Sequence, residues 1–161
     1  MPAKSEAQRS SYIAGFFDGE GNISILKRNQ YLGGNGSYGI ILGFTNRDLP
    51  VLQWILQYYY GSLFEKKRYS IKHSKSFELR ITQKKILKRL LLDIYPFVRI
   101  KRKQVELALA FLKLKRIKME VSQLRGKRWA LFTANKEDVK KREVFKENLT
   151  LLNQRGVVCL Q

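Results

Sequence analysis

Two carboxylates in a glycine-rich frame have the types and spacing to do chemistry. They are Asp18 and Glu20 in the stretch Tyr12-Ile13-Ala14-Gly15-Phe16-Phe17-Asp18-Gly19-Glu20-Gly21. The stretch predicts a helix over about residues 9–19, with Ser10 or Ser11 as N-cap and Ile13, Phe16 and Phe17 as its apolar bulk. Its acids fall at the C-terminal end. There the helix dipole disfavours a carboxylate by ~0.3–1 kcal/mol, and the carbonyls of the last turn lack partners. Clustered carboxylate and carbonyl oxygens suit Mg2+ or Ca2+. Gly15 and Gly19 lie four residues apart and open onto one helix face, where another backbone can approach. Two readings follow. Either Gly19 and Gly21 cap the helix and the acids are solvated, or the helix packs against a copy of itself and each copy delivers Glu20 to a metal.

Composition narrows the chemistry. The chain has 161 residues, enough for one domain with a substantial core, and 44% of them are hydrophobic, which argues against disorder. Lys plus Arg number 32 against 13 Asp plus Glu, a net charge of +19. An excess of that size points to a polyanion, nucleic acid ahead of a membrane surface. The sequence has neither a run of ~18 apolar residues nor a basic–apolar–small leader, so a soluble intracellular protein is expected. Cys159 and His73 are the only residues of their kinds. That excludes an intrachain disulfide, a zinc finger, an HNH-type or His-Cys-box nuclease and a Cys-His dyad. Hydrolytic chemistry would rest on carboxylates, amides, Lys or Arg, and a bound metal.

The elements that must position these groups read as an alternating series. After the motif helix, Asn22 to Arg28 and Tyr38 to Phe44 alternate as strands, with Ile23, Ile25, Tyr38, Ile40, Leu42 and Phe44 facing the core. Asp48 caps a helix that carries Val51, Leu52, Ile55 and Leu56 and stops at Gly61. A second hairpin runs over Ser62 to Tyr69 and Ser76 to Thr82; Thr82 can cap the next helix, from Gln83 to about Ile94, which Pro96 ends. A long helix is expected from about Val98 to Met119, then a basic connector from Gln123 to Arg128, then a terminal helix from Lys136 to Leu152 buried through Val139, Phe145, Leu149 and Leu152. The expected fold class is α+β: a four-stranded antiparallel sheet with helices on one face, plus C-terminal helices. The other sheet face would carry Ser24, Arg28, Thr45, Lys66, Arg68, Glu78 and Arg80, either as an ordinary solvated face or as a two-stranded ribbon suited to the major groove of DNA.

Residues 13–21, Ile-Ala-Gly-Phe-Phe-Asp-Gly-Glu-Gly, resemble the Leu-Ala-Gly-Leu-Ile-Asp-Ala-Asp-Gly motif of the LAGLIDADG homing endonucleases. Glu20 stands where that family has its metal-binding acid, commonly Asp, and the neighbouring carbonyl falls on Gly19. The predicted αββαββα order is similar to that family's fold over about residues 10–115, an endonuclease core spanning 1–119 with a helical extension over 120–161. The motif occurs once, and the resemblance implies that single-motif chains act as homodimers. The interface would involve Ala14, Gly15, Asp18 and Gly19; alternatively Gly15 accommodates the chain's own core.

The same resemblance carries roles to other positions. The segment Pro96-Phe97-Val98-Arg99-Ile100-Lys101-Arg102-Lys103-Gln104 is similar to the one delivering an active-site lysine, here Lys101, which could equally be a phosphate contact at a basic helix start. Asn46 falls where an amide orients water, or it is a turn residue. Pro50 stands where some members of that family place a basic residue four positions on, so either that part of the water network differs or Arg47 substitutes. Asp18 reads as structural support. Lys66, Arg68, Arg28 and Arg80 would meet groove or groove wall, with Ser24 and Glu78 on the same face, while Arg99, Lys103, Arg125, Lys127 and Arg128 would hold backbone. Individually each is as readily a solvated charge. The resemblance thus implies Mg2+-dependent cleavage, with Ca2+ or Mn2+ able to occupy the site, of double-stranded DNA at a long pseudo-palindromic sequence by a homodimer, with no membrane involved. An RNA maturase or a DNA-binding regulator on the same scaffold is the alternative.

Overall fold

A computed structural model describes residues 5–28, 37–67, 74–115, 119–122, 131–134 and 136–154. In chain order the elements are α1 (Glu6–Glu20), β1 (Gly21–Arg28), β2 (Ser37–Asn46), α2 (Leu49–Leu56), β3 (Ser62–Glu65), β4 (Phe77–Ile81), α3 (Lys84–Ile94), α4 (Arg102–Lys113), β5 (Met119–Ser122), β6 (Leu131–Ala134) and α5 (Lys136–Asn153). The first four strands form one antiparallel sheet in the order β1-β2-β4-β3. The register pairs Gly21 with Phe44, Ser24 with Ile41, Gly43 with Arg80 and Arg80 with Ser62.

Period-two alternation decides the sheet's faces. Ile23, Ile25, Tyr38, Ile40, Leu42, Phe44, Leu79 and Ile81 are buried on the inner face. They pack with Ile13, Ala14 and Phe17 of α1, Leu52 and Ile55 of α2, Leu87, Leu90, Leu91 and Ile94 of α3, and Val105, Ala108 and Phe111 of α4. The outer face carries Ser24, Thr45, Glu78 and Arg80, as the alternation requires, all four partly exposed.

Several boundaries depart from expectation, each for a local reason. α1 begins three residues earlier, because Ser5 forms the capping box with Gln8; Ser10 is buried instead. Gln83, not Thr82, stands at the start of α3, with no side-chain cap hydrogen bond. The predicted helix from Val98 is shortened at both ends. Arg99, Ile100 and Lys101 form a turn whose N–H groups are taken by Asp18, so α4 starts at Arg102. The other end stops at Lys113, with Leu114 extended. The 120–161 extension is not wholly helical, since β5 and β6 pair antiparallel ahead of α5. Gln123 to Arg128 lies outside the described residues.

α5 serves the sheet by covering its β1 edge. The Asn153 amide nitrogen donates to the carbonyl of Ile23 at 2.8 Å, so a backbone group on the open side of an edge strand is satisfied. Its buried stripe includes Arg142 as well as Leu149; the Arg142 guanidinium packs on the Phe111 ring and donates to the Lys115 carbonyl. Burial lowers the pKa of Arg142. Further along, Glu143 accepts from the Tyr38 hydroxyl and pairs with Lys146 at 2.6 Å and with Lys27 at 3.4 Å. Lys146 first, then Tyr38, holds the Glu143 carboxyl down to about 2.

The folded-state pKa of Glu143 lies below the unfolded value, so its contribution is complete above about pH 4.5 and fades as pH falls toward 2. Glu143→Gln is therefore expected to cost about 1 kcal/mol or less near pH 7. The gap between variant and parent should close on acidification through that window, as followed by urea unfolding across a pH series.

Candidate active site at the end of α1

α1 is built with two faces. Ile13, Ala14 and Phe17 are fully buried in the chain's own core. On the opposite side a Cβ added at Gly15 or at Gly19 would meet nothing within 4 Å. Tyr12, 47% exposed, lies on the same open side. The expectation for Gly15 and Gly19 as an approachable stripe stands on this geometry, and the alternative that Gly15 makes room for the chain's own core does not. Ala14 is corrected: with zero exposure it packs inward, 100° of helix away from Gly15, and cannot face a partner across α1.

The C-terminal end of α1 is tied to the turn before α4 by two opposed charges. The Asp18 carboxylate accepts the backbone N–H groups of Arg99, Ile100 and Lys101 at 2.8, 3.2 and 2.9 Å. It thus places a negative charge at the positive end of α4. In the other direction the Lys101 ammonium donates to the carbonyls of Phe17 at 3.0 Å and Gly21 at 2.7 Å, a cation at the negative end of α1. It also lies 5.6 Å from the centre of the Phe17 ring. Gly21 is required by space: a Cβ there would fall 2.1 Å from the Phe17 ring and 2.7 Å from the Phe17 carbonyl. Asp18 is therefore spent on structure, in keeping with its expected supporting role, and is not a free ligand.

Glu20 remains exposed at the last position of the helix, next to Gly19. Among the described residues no group of three or more His, Cys, Asp or Glu side chains comes together. One chain thus offers one carboxylate and the adjacent Gly19 carbonyl. These are hard oxygen donors that fit Mg2+ or Ca2+ in kind but amount to part of a coordination shell. Asn46 ends β2, two residues beyond the partner of Gly21, at the α1 end of the sheet. Its side-chain oxygen accepts the Asp48 N–H at 2.8 Å, so the turn reading is realised on that atom. Arg47 beside it is exposed.

The expected DNA-facing set divides. Ser24, Glu78 and Arg80 share the outer face of the sheet, and Lys66 is exposed just beyond β3. Arg28 ends β1, and nothing further is described of its side chain. Arg99 is exposed in the turn that Asp18 holds. Lys103 lines a hollow between α4 and α5 with Glu106, Leu107 and Leu151. Arg68, Arg125, Lys127 and Arg128 lie outside the described residues, as do His73 and Cys159. Sequence reasoning missed Phe64, which is on the outer face under Arg80 with the guanidinium carbon 4.9 Å from the ring centre. The adjacent pair Leu63-Phe64 held the signal, since in a strand two successive apolar residues cannot both face inward.

Removing the Asp18 carboxylate leaves three N–H groups without their acceptor. Asp18→Ala should cost about 1–3 kcal/mol of stability by chemical denaturation. Asp18→Asn, which keeps one carbonyl acceptor, should cost less. An Asp18→Asn variant as stable as the parent would refute the charge-assisted role.

The model of the LAGLIDADG endonuclease family matches residues 13–108, more than half of the chain. No curated protein sequence matches it significantly. Among solved structures, the homing endonuclease I-CvuI bound to the I-CreI target in the presence of 2 mM Mg superimposes with a TM-score of 0.66 at 19% identity, covering 92% of this chain and 84% of that one. The archaeal intron-encoded homing endonuclease I-Vdi141I, in complex with DNA, gives 0.66 at 17% identity and covers 98% and 91%. The group I intron-encoded I-CeuI, also with DNA, gives 0.55 at 20% identity over 71% and 57%. Those likenesses establish the α+β homing-endonuclease fold, and the family match, which takes in both the acidic motif of α1 and Lys101, establishes membership: the chain belongs to the LAGLIDADG endonuclease family.

Proposed function

We propose that two copies of this chain pair through the open face of α1 and cut both strands of a long, nearly palindromic DNA duplex with divalent cations at the dimer axis. The observation that carries the proposal is the one-sided burial of α1, with Ile13, Ala14 and Phe17 sealed inside and nothing within 4 Å of a Cβ added at Gly15 or Gly19 on the other side. A twofold axis along that stripe brings two Glu20 carboxylates together, and two like charges at two helix C-termini are tolerated only with cations between them. Glu20 and the Gly19 carbonyl of each copy would hold the ion, with Mg2+ assigned as the working species and Ca2+ or Mn2+ as competitors for the same oxygens. A divalent ion bound there supplies a nucleophilic water at neutral pH and charge stabilisation at the leaving oxygen of an in-line displacement.

The chain's own groups do the rest. The Lys101 ammonium, pinned by the Phe17 and Gly21 carbonyls, adds fixed positive charge beside the reacting phosphate. Asn46, whose oxygen is engaged by the Asp48 N–H, offers its amide nitrogen to orient water, and exposed Arg47 takes the place of the basic residue that Pro50 replaces. The outer sheet face, with Ser24, Glu78 and Arg80, meets the groove. Lys66 and Arg99 meet phosphates. The net charge of +19 supplies the steering field.

Two variants test separate parts. Glu20→Gln should abolish double-strand cleavage of plasmid carrying the site while retaining DNA binding to within a few-fold; full cutting by that variant would end the mechanism. Gly15→Leu should leave the monomer folded, and even stabilise α1 by about 0.5–1 kcal/mol through loss of a helical glycine. It should convert the dimer to a monomer in sedimentation analysis and cutting to inactivity. A dimeric, active Gly15→Leu protein would show that pairing uses another surface.

A further inference from the structure

We propose that Arg80 reads a guanine in the major groove, held for that purpose by Glu78 and Phe64 in a slot that Gly43 leaves open. The inference rests on the DNA-cutting function proposed above and adds to it a base and the residues that position its reader.

The geometry points to a prepared arginine rather than a casual surface ion pair. A single oxygen of Glu78, Oε1, accepts both Nε–H and Nη2–H of Arg80 at 3.0 and 2.9 Å. Phe64 packs beneath, with the guanidinium carbon 4.9 Å from the ring centre. The guanidinium is thus fixed along one edge and on one face. Its side chain is nonetheless 42% exposed, whereas that of Glu78 is 15% exposed, so the acid is sunk and the base presented. Of the five N–H donors of an arginine two are engaged. Among the described residues no hydrogen bond reaches the far edge of the guanidinium, which has one N–H from each terminal nitrogen to offer. That parallel pair matches O6 and N7 of guanine, the commonest bidentate base contact. Neutral or acidic ligands without two adjacent acceptors do not complete it.

The register accounts for the slot. Arg80 sits on β4 between Gly43 of β2 and Ser62 of β3, the smallest neighbours available, and Glu78 sits between Thr45 and Phe64. A Cβ on Gly43 would stand 3.3 Å from the Glu78 Oε1, close enough to push the carboxylate that aligns Arg80. Glu78 and Gly43 are positioning residues in this arrangement, and Arg80 alone touches the base. Stability does not explain the set. The half-exposed guanidinium limits what the pair adds to stability, and beside DNA a carboxylate that is paired with a base-reading cation is repelled less than a lone one.

The test is selection of bound duplexes from a fully random pool, using the full chain, Arg80→Ala, Glu78→Gln and Gly43→Ala, each first checked for folding by circular dichroism. The parent chain should select a site with guanine at one symmetry-related pair of positions, and replacing that guanine should weaken binding about ten-fold or more. Arg80→Ala should erase the preference at that pair and keep the preferences elsewhere. Glu78→Gln and Gly43→Ala should blunt the preference at the same pair only. Unchanged base preferences in Arg80→Ala, or an affinity loss spread evenly over all sequences as a phosphate contact would give, would overturn the proposal while leaving DNA recognition intact. If the parent chain selects no sequence at all, the DNA-cutting function itself falls, and this reader with it.

Discussion

The structure depends on a reciprocal clamp between two helix ends. α1 finishes where α4 is about to begin, and each supplies the charge that the other's dipole calls for. Asp18 takes three backbone N–H groups ahead of α4, and Lys101, from that same turn, places its ammonium on the Phe17 and Gly21 carbonyls at the end of α1. Without the cation, the end of α1 would be an electrostatically unfavourable place for a second acid. With it, Glu20 can project from the last turn while Asp18 is turned inward. The clamp therefore assigns different work to two carboxylates that stand two residues apart.

Around that clamp the remaining elements keep one helix face and one sheet face free. α1 uses the sheet and its neighbouring helices to bury Ile13, Ala14 and Phe17, leaving the side of Gly15 and Gly19 open. α5 closes the β1 edge through Asn153, so that the outer face rather than the strand edge is the surface left available. A long edge strand would invite pairing with another chain, and covering it removes that route. The groups on the outer face are not uniformly loose either, since Glu78 and Phe64 order Arg80 before any ligand arrives.

The inner face of the sheet was legible before the structure because period-two alternation in Tyr38, Ile40, Leu42 and Phe44 and in Leu79 and Ile81 admits only one inward set. The acid at position 20 was legible because helix physics makes a terminal carboxylate stand out. The start of α4 was not. A run of basic and apolar residues from Val98 reads as helix, and only Asp18, some eighty positions distant in sequence, turns Arg99 to Lys101 into a capped turn. The extension beyond α4 was misread for a related reason. The pairing of Met119–Ser122 with Leu131–Ala134 joins two four-residue segments, each too short for its own periodicity to declare a strand.

The sequence by itself determined the element order through α3, the sheet's faces, the resemblance of the motif to a family and the placement of an acid beside two glycines at a helix end. All of these rest on contacts or periodicities within a few residues. The tertiary structure alone decided which distant N–H groups Asp18 serves, that Ala14 belongs to the core, and that Arg80 is held rather than loose. Each of those turns on which distant donor, ring or empty space comes to lie beside a side chain. A local pattern states what a residue can offer, and only packing decides whether the offer has already been taken.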